Sequence, residues 1–253
     1  MMLKSRLGVA LTVIVAAGIG AAGGAFWGQW LSQRAFDSRV HSYLIAHPQV
    51  LMEMDSALRR QADQARDQAV VKHLAAIDHN PGDPVWGNPK GTVTIAEWFD
   101  YQCPFCKAEA PVLARLVKAD PHVRVVEKMF PVIGGPGSVI AAKAALASMR
   151  QGKFVAFHAA LLADHTPEDH LDEARIMAIA KSVGLDVARL KHDMAAPGIM
   201  ARISANLTLA REIGITATPG LVVGDHLDVG FLPYARLKAL VDEAEKAKPG
   251  AAQ

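Results

Sequence analysis

Cysteine is nearly missing from this chain: 253 residues hold two, both within Cys103-Pro104-Phe105-Cys106. No second C-x-x-C and no nearby H-x-x-x-H accompanies them, so the four or so ligands of a structural zinc site cannot be assembled around the pair. A bridge between residues so close would constrain little of the unfolded chain, which argues against a purely structural disulfide. Excess charge is also lacking. A formal net charge of +2 makes no electrostatic case for a nucleic-acid partner. Long uncharged apolar stretches are confined to the start, where Leu7 to Gly28 carries no charge.

What remains is a thiol pair in a telling place. Two cysteines at i and i+3 in the first turn of a helix share a face and can open and close a disulfide. Pro104 suits the first helical position, with Cys103 as cap, and the helix is predicted to run to about Lys118, ending at Asp120-Pro121. The positive end of the helix dipole favours a thiolate at Cys103. Cys103 is therefore expected to be the nucleophile, with its sulfur exposed, and Cys106 its resolving partner. A two-thiolate copper(I) site is the metal reading that stays open.

Lys4 and Arg6 precede the apolar run, and Trp27 and Trp30 stand at its far edge. This pattern reads as a signal peptide or membrane anchor over residues 1–30, with residues 7–28 able to span a bilayer. The positive-inside rule then exports the rest to the periplasm or another extracytoplasmic space, where dithiol chemistry is useful.

Beyond it, residues 36–78 read as a helical stalk interrupted at His47-Pro48. Leu51, Met54, Leu58, Ala62, Ala65 and Ala69 form a narrow apolar stripe, the pattern of a self-association helix. Turn-rich Asn80 to Gly91 marks the approach to a main domain over 83–247, with 248–253 as a tail. Val93 to Phe99 is a strand leading to Cys103, with Glu97 on the same side as Val93, Ile95 and Phe99. A carboxyl on an apolar face should hold its proton to a higher pH, as proton donors and acceptors do. Val123 to Met129 is a second strand, completing a βαβ unit. Helical stretches follow over about 137–212: 139–149, 153–162, 171–183, 187–193 and 199–212. A hairpin (221–223 and 227–229, turning at Gly224-Asp225) and a helix over 233–247 close the chain.

Three features together resemble the DsbA-like branch of the thioredoxin fold: Glu97 to Lys107 with its C-P-F-C, Phe130-Pro131-Val132-Ile133-Gly134, and Thr218-Pro219 before the hairpin. Tyr43-Leu44 and His47-Pro48-Gln49-Val50-Leu51 resemble the N-terminal oligomerising segment of ScsC-like copper-sensitivity suppressors. The resemblance implies an α/β fold: a thioredoxin domain with a helical insertion, preceded by the stalk and the hydrophobic segment. It implies an exported protein thiol–disulfide oxidoreductase, oxidase or isomerase, acting on cysteines of client proteins. Cys103, Cys106 and the buried Glu97 would be catalytic; Thr218, a cis Pro219, Pro104 and Phe105 would meet the client. No cofactor or metal is implied. A membrane redox partner would reset the dithiol, and the stalk would build a homo-oligomer. Phe105 stands where strongly oxidising relatives carry histidine, which points to a milder oxidant. The reading from another class is a client-binding chaperone or copper(I)-handling protein with incidental redox activity. Asp100 beside the site would, as an anion, oppose thiolate formation. His165 and His170 read as loop residues.

Overall fold

The computed structural model describes residues 35–167 and 170–247. The apolar run 7–28, with its signal-or-anchor reading, and the tail 248–253 lie outside the described residues. Among the described residues, no helix is long and apolar enough to cross a membrane.

Helix α1 covers residues 35–46, and α2 (Gln49–Asp78) starts just after Pro48, whose ring suits the entry to a helix but not its interior. The chain divides into two compact units between Gln61 and Ala62, within α2. In the first, Phe36, Tyr43, Ile45, Leu51, Met54 and Leu58 are all exposed. The second contains the rest. Its share of α2 buries Val70 and Ile77 against Ala96, Trp98 and Val126, so this compact unit begins about twenty residues ahead of the turn-rich stretch.

Next come β1 (Val85–Gly87), β2 (Val93–Phe99), α3 (Pro104–Ala119) and β3 (Val123–Met129). Five helices follow: α4 (Gly135–Ser148), α5 (Phe154–Leu162), α6 (Glu173–Ser182), α7 (Val187–Met194) and α8 (Pro197–Glu212). Strands β4 (Gly220–Val223) and β5 (His226–Val229) and helix α9 (Tyr234–Lys246) complete the chain. The sheet order is β1-β3-β2-β4-β5; β2 and β3 run parallel and the other pairs antiparallel. A parallel pair needs a crossover, and α3 supplies it. This is a thioredoxin fold carrying a helical insertion.

Alternation along β2 and β3 divides the core. Val93, Ile95, Val123 and Val125 pack with Leu113 and Leu116 of α3 and Leu237 and Leu240 of α9. Ala96, Trp98, Val126 and Phe130 pack with the end of α2 and with Leu209 and Ala210 of α8. Phe99, Tyr101 and Met129 extend into the insertion beside Phe157, Leu161 and Ile176.

Two elements differ from expectation. Strand β1 falls in the stretch read as turn: three residues pairing only with β3 (Trp86 opposite Val125) are too short to show a period of two. Helix α4 begins at Gly135, four residues before Val139, because Pro136 fits the first turn. Gly137 is required there, since a Cβ would come 2.1 Å from the Leu171 carbonyl oxygen.

Candidate active site

Strand β2 delivers the chain to Cys103, which caps α3 with extended backbone (φ −72°, ψ 120°) and Pro104 behind it. Both cysteines are free thiols. Cys103 Sγ lies 3.5 Å from the Thr218 carbonyl oxygen, and the Thr218-Pro219 peptide bond is cis. The sulfur is not the exposed group expected of a helix start: Cys103 is 2 % exposed, with Thr218 set against it. Exposure falls instead on Pro104 and on Phe105, which is 60 % exposed.

The two thiols are driven apart. Cys103 is lowered to about 6, first by a hydrogen bond from the Cys106 thiol, then by the Thr218 side chain and the N–H groups of Cys106 and Phe105; burial opposes this. Backbone N–H groups at a helix start are the free donors that a thiolate needs. Cys106 is pushed strongly up, chiefly by burial, then by its bond to Cys103 and by the charge of Glu97. One sulfur is a thiolate at neutral pH while the other keeps its proton.

Behind them lie three buried carboxyls: Glu97 on β2, Glu109 on α3 and Glu127 on β3. Burial pushes Glu97 well up, with Glu127, Glu109 and Cys103 adding like charge. Burial likewise raises Glu109 to about 7 and Glu127 to about 8. Glu109 Oε1 accepts from the Leu232 N–H at 2.9 Å. Glu127 Oε1 accepts from the Trp86 indole at 2.5 Å and lies 3.5 Å from His158 Nε2. Burial lowers His158 to about 3, so its ring is neutral and brings no countercharge. Its Nδ1 is 3.0 Å from the Tyr101 hydroxyl. A cavity of about 140 Å³ between α3 and α5 reaches Glu97 and His158, walled by Ala110, Leu113 and Leu162.

Asp100 has a different task. Its Oδ2 accepts from the N–H groups of Val132 and Ile133 at 2.8 Å each, and its Oδ1 from Gln102 N–H and Ser138 Oγ. Gln102 in turn donates to the Gly134 carbonyl at 2.7 Å. This network fastens the 131–138 segment to the end of β2.

Sequence reasoning named Glu97 but not Glu127, Glu109, His158 or Trp86. Glu127 shares the parity of Val123, Val125 and Met129, the signal that marked Glu97. Glu109 falls on the Cys106, Leu113, Leu116 face of α3. Neither His158, in an apolar helix, nor Trp86, in a three-residue strand, carries such a signal. Among the described residues, one trio of metal-capable side chains converges, Asp120, His122 and Glu245, with ligand atoms within 4.8 Å. It sits at the far end of α3, about 24 Å along the helix from Cys103, and its acids already meet His122 and Lys238.

A family model described as thioredoxin matches residues 79–243, and one described as the copper resistance protein ScsC N-terminal domain matches 33–65. The fold is similar to a thioredoxin-like oxidoreductase of Silicibacter pomeroyi, 42 % identical over 69 % of this chain and 98 % of that one, with a TM-score of 0.66. It is similar to a linker-deletion mutant of Proteus mirabilis ScsC (25 % identity, 85 % and 96 % covered, TM-score 0.67). It is also similar to the thiol-disulfide exchange protein α-DsbA2 of Wolbachia pipientis (28 % identity, 72 % and 96 % covered, TM-score 0.66). Curated relatives include a Na(+)/H(+) antiporter NhaA of Salinispora tropica, 28 % identical over 189 residues, of whose length this chain spans 28 %.

Proposed function

From the premise that the chain belongs to the thioredoxin family, in its DsbA-like and ScsC-like branch, we propose that Cys103 and Cys106 are the redox pair of an exported thiol–disulfide oxidoreductase acting on client proteins. The observation that carries this reading is the placement of Cys103. It caps α3, it is lowered to about 6, and its sulfur lies 3.5 Å from the carbonyl before cis Pro219.

The Cys103 thiolate attacks one sulfur of a client disulfide; that S–S bond breaks, and the departing client sulfur takes a proton. Glu97 then accepts the Cys106 proton as Cys106 attacks Cys103, forming the intramolecular disulfide and releasing the second client thiol. The client gains two electrons and the cysteine pair loses them. In reverse, the same steps oxidise a client, and a membrane redox partner resets the pair. The client chain lies over exposed Pro104 and Phe105, against the Thr218–Pro219 segment.

The exposed apolar side chains of residues 36–58 and the ScsC match there support a stalk that joins several copies. Grouping active sites around one misfolded client suits isomerisation better than oxidation. Of the stalk residues 36–78, those over 36–61 are thus assigned to assembly, while 62–78 pack on the 83–247 domain that carries the chemistry, outside the cytoplasm, as in a similar periplasmic thioredoxin-like protein of Salmonella enterica.

Cys103→Ala is expected to abolish refolding of a scrambled-disulfide substrate, while Cys106→Ala accumulates a mixed disulfide visible by mass. A client-holding chaperone would survive Cys103→Ala with full protection against aggregation, and that result would replace this reading. Equilibration with glutathione fixes the direction: a potential above the glutathione range marks a disulfide donor, one at or below it an isomerase or reductant.

A further inference from the structure

This inference rests on the redox reading above and deepens it. We propose that Glu127 is a positioning residue for thiol–disulfide exchange: a second carboxyl that shares a proton with Glu97 across neighbouring strands, and so sets the pH at which Glu97 takes the Cys106 proton.

Glu97 and Glu127 are register partners in the parallel β2–β3 pair, so their backbones lie about 4.8 Å apart and their side chains leave the sheet on one face. Both are buried. Glu127 Oε1 is occupied by the Trp86 indole, while Oε2 is buried with no hydrogen-bond partner. A buried carboxylate oxygen without a donor is costly, and a proton taken up by either carboxyl relieves that cost and the repulsion between the two.

Nothing nearby neutralises the pair. Among the described residues, no lysine or arginine lies within ion-pair distance of Glu97, Glu109 or Glu127. The titratable groups facing them are Glu109, Cys103 and Cys106 on α3, neutral His158 on α5 and Tyr101 after β2. Strand β4 offers apolar Leu221 opposite Glu97. The Lys107 ammonium is turned to the Asp164 carbonyl at 2.8 Å. Two carboxyls so placed do not both ionise at neutral pH; they titrate as a pair in two steps.

During resolution the Cys106 S–H bond breaks and its proton passes to the singly protonated pair, at Glu97. Cys106 Sγ forms its bond to Cys103 Sγ as the Cys103–client bond breaks. The pair ends with two protons and the client sulfur leaves reduced. Glu127 touches neither sulfur and acts only by keeping or yielding its proton.

The test uses the reduced full chain with oxidised glutathione as the disulfide, following attack and Cys106-dependent resolution separately by rapid quench across pH. Glu127→Gln keeps an acceptor for Trp86 but removes the second acid. The resolution profile should move to lower pH, with a rate about tenfold higher just below the wild-type inflection, and attack by Cys103 unchanged. Glu127→Asp should restore the wild-type profile. Superimposable wild-type and Glu127→Gln profiles would overturn the proposal and leave the redox reading standing. Absence of any resolution phase in the wild type would sink the redox reading itself. Should Glu127→Gln not fold, carboxyl carbon NMR of the wild type decides: coupled two-step titration of Glu97 and Glu127 supports the shared proton, and independent single steps refute it.

Discussion

Glu127 and Lys128 are consecutive in β3, both are fully buried, and they face opposite sides of the sheet, where charge is handled in opposite ways. On the α2/α8 side, Lys128 Nζ meets Asp83 at 2.5 Å and the Ala76 carbonyl at 2.8 Å, with Asn206 and Arg202 also against Asp83. On the α3/α5 side, Glu127 joins two further carboxyls and no cation. A buried charge that is paired and hydrogen-bonded holds structure together, here the last turn of α2 to the sheet. Buried acids with no cation beside them keep protons near neutral pH, which is a chemical capability. Among the described residues, that second arrangement occurs beside the cysteines.

Breaking the paired side should have the largest effect. Lys128→Ala leaves Asp83 buried with weaker compensation, and about 3–5 kcal/mol of stability should be lost in urea denaturation. Resolution by Cys106 per folded molecule should be unchanged. On the acidic side the pattern inverts: Glu97→Gln should keep or raise stability while slowing resolution about a hundredfold. Equal losses of stability from both substitutions would erase the distinction between the two faces.

A subtler effect follows from pH. Glu109 and Glu127 are raised to about 7 and about 8, above the unfolded carboxyl value, so the stability they lend is complete below about pH 4.3 and is lost as pH rises through the folded values. Cys103 works the other way: held down to about 6, it stabilises the reduced form as pH rises from there, and that contribution is lost as pH falls back through 6. Urea midpoints of the reduced protein should therefore decline from acid to neutral pH, and Glu127→Gln should flatten the decline.

The legible parts of this molecule are those where local pattern and tertiary role agree. Val93–Phe99 and Val123–Met129 alternate or run apolar enough to be strands, and Cys103-Pro104 announces the start of α3. Parity puts Glu97 on the side of Val93, Ile95 and Phe99, and the family resemblance puts it beneath the cysteines. The remainder depends on distant partners. Trp86 matters because β1 pairs with β3, and His158 because α5 folds back over α3; neither fact is local. Asp100 looks in sequence like an anion beside a thiolate, yet three donors from the 131–138 segment, with the nearby Gln102 N–H, take up its charge.

The central claim is that helix-start donors and uncompensated acids split two neighbouring thiols into a thiolate and a persistent thiol. Thiolate absorbance of the reduced full chain, titrated from acid to alkaline pH, tests it directly. The account predicts one sulfur ionising near 6, lost in Cys103→Ala, and no second ionisation through the ordinary thiol range. Two equal ionisations near the unperturbed cysteine value of about 8.5 would contradict it.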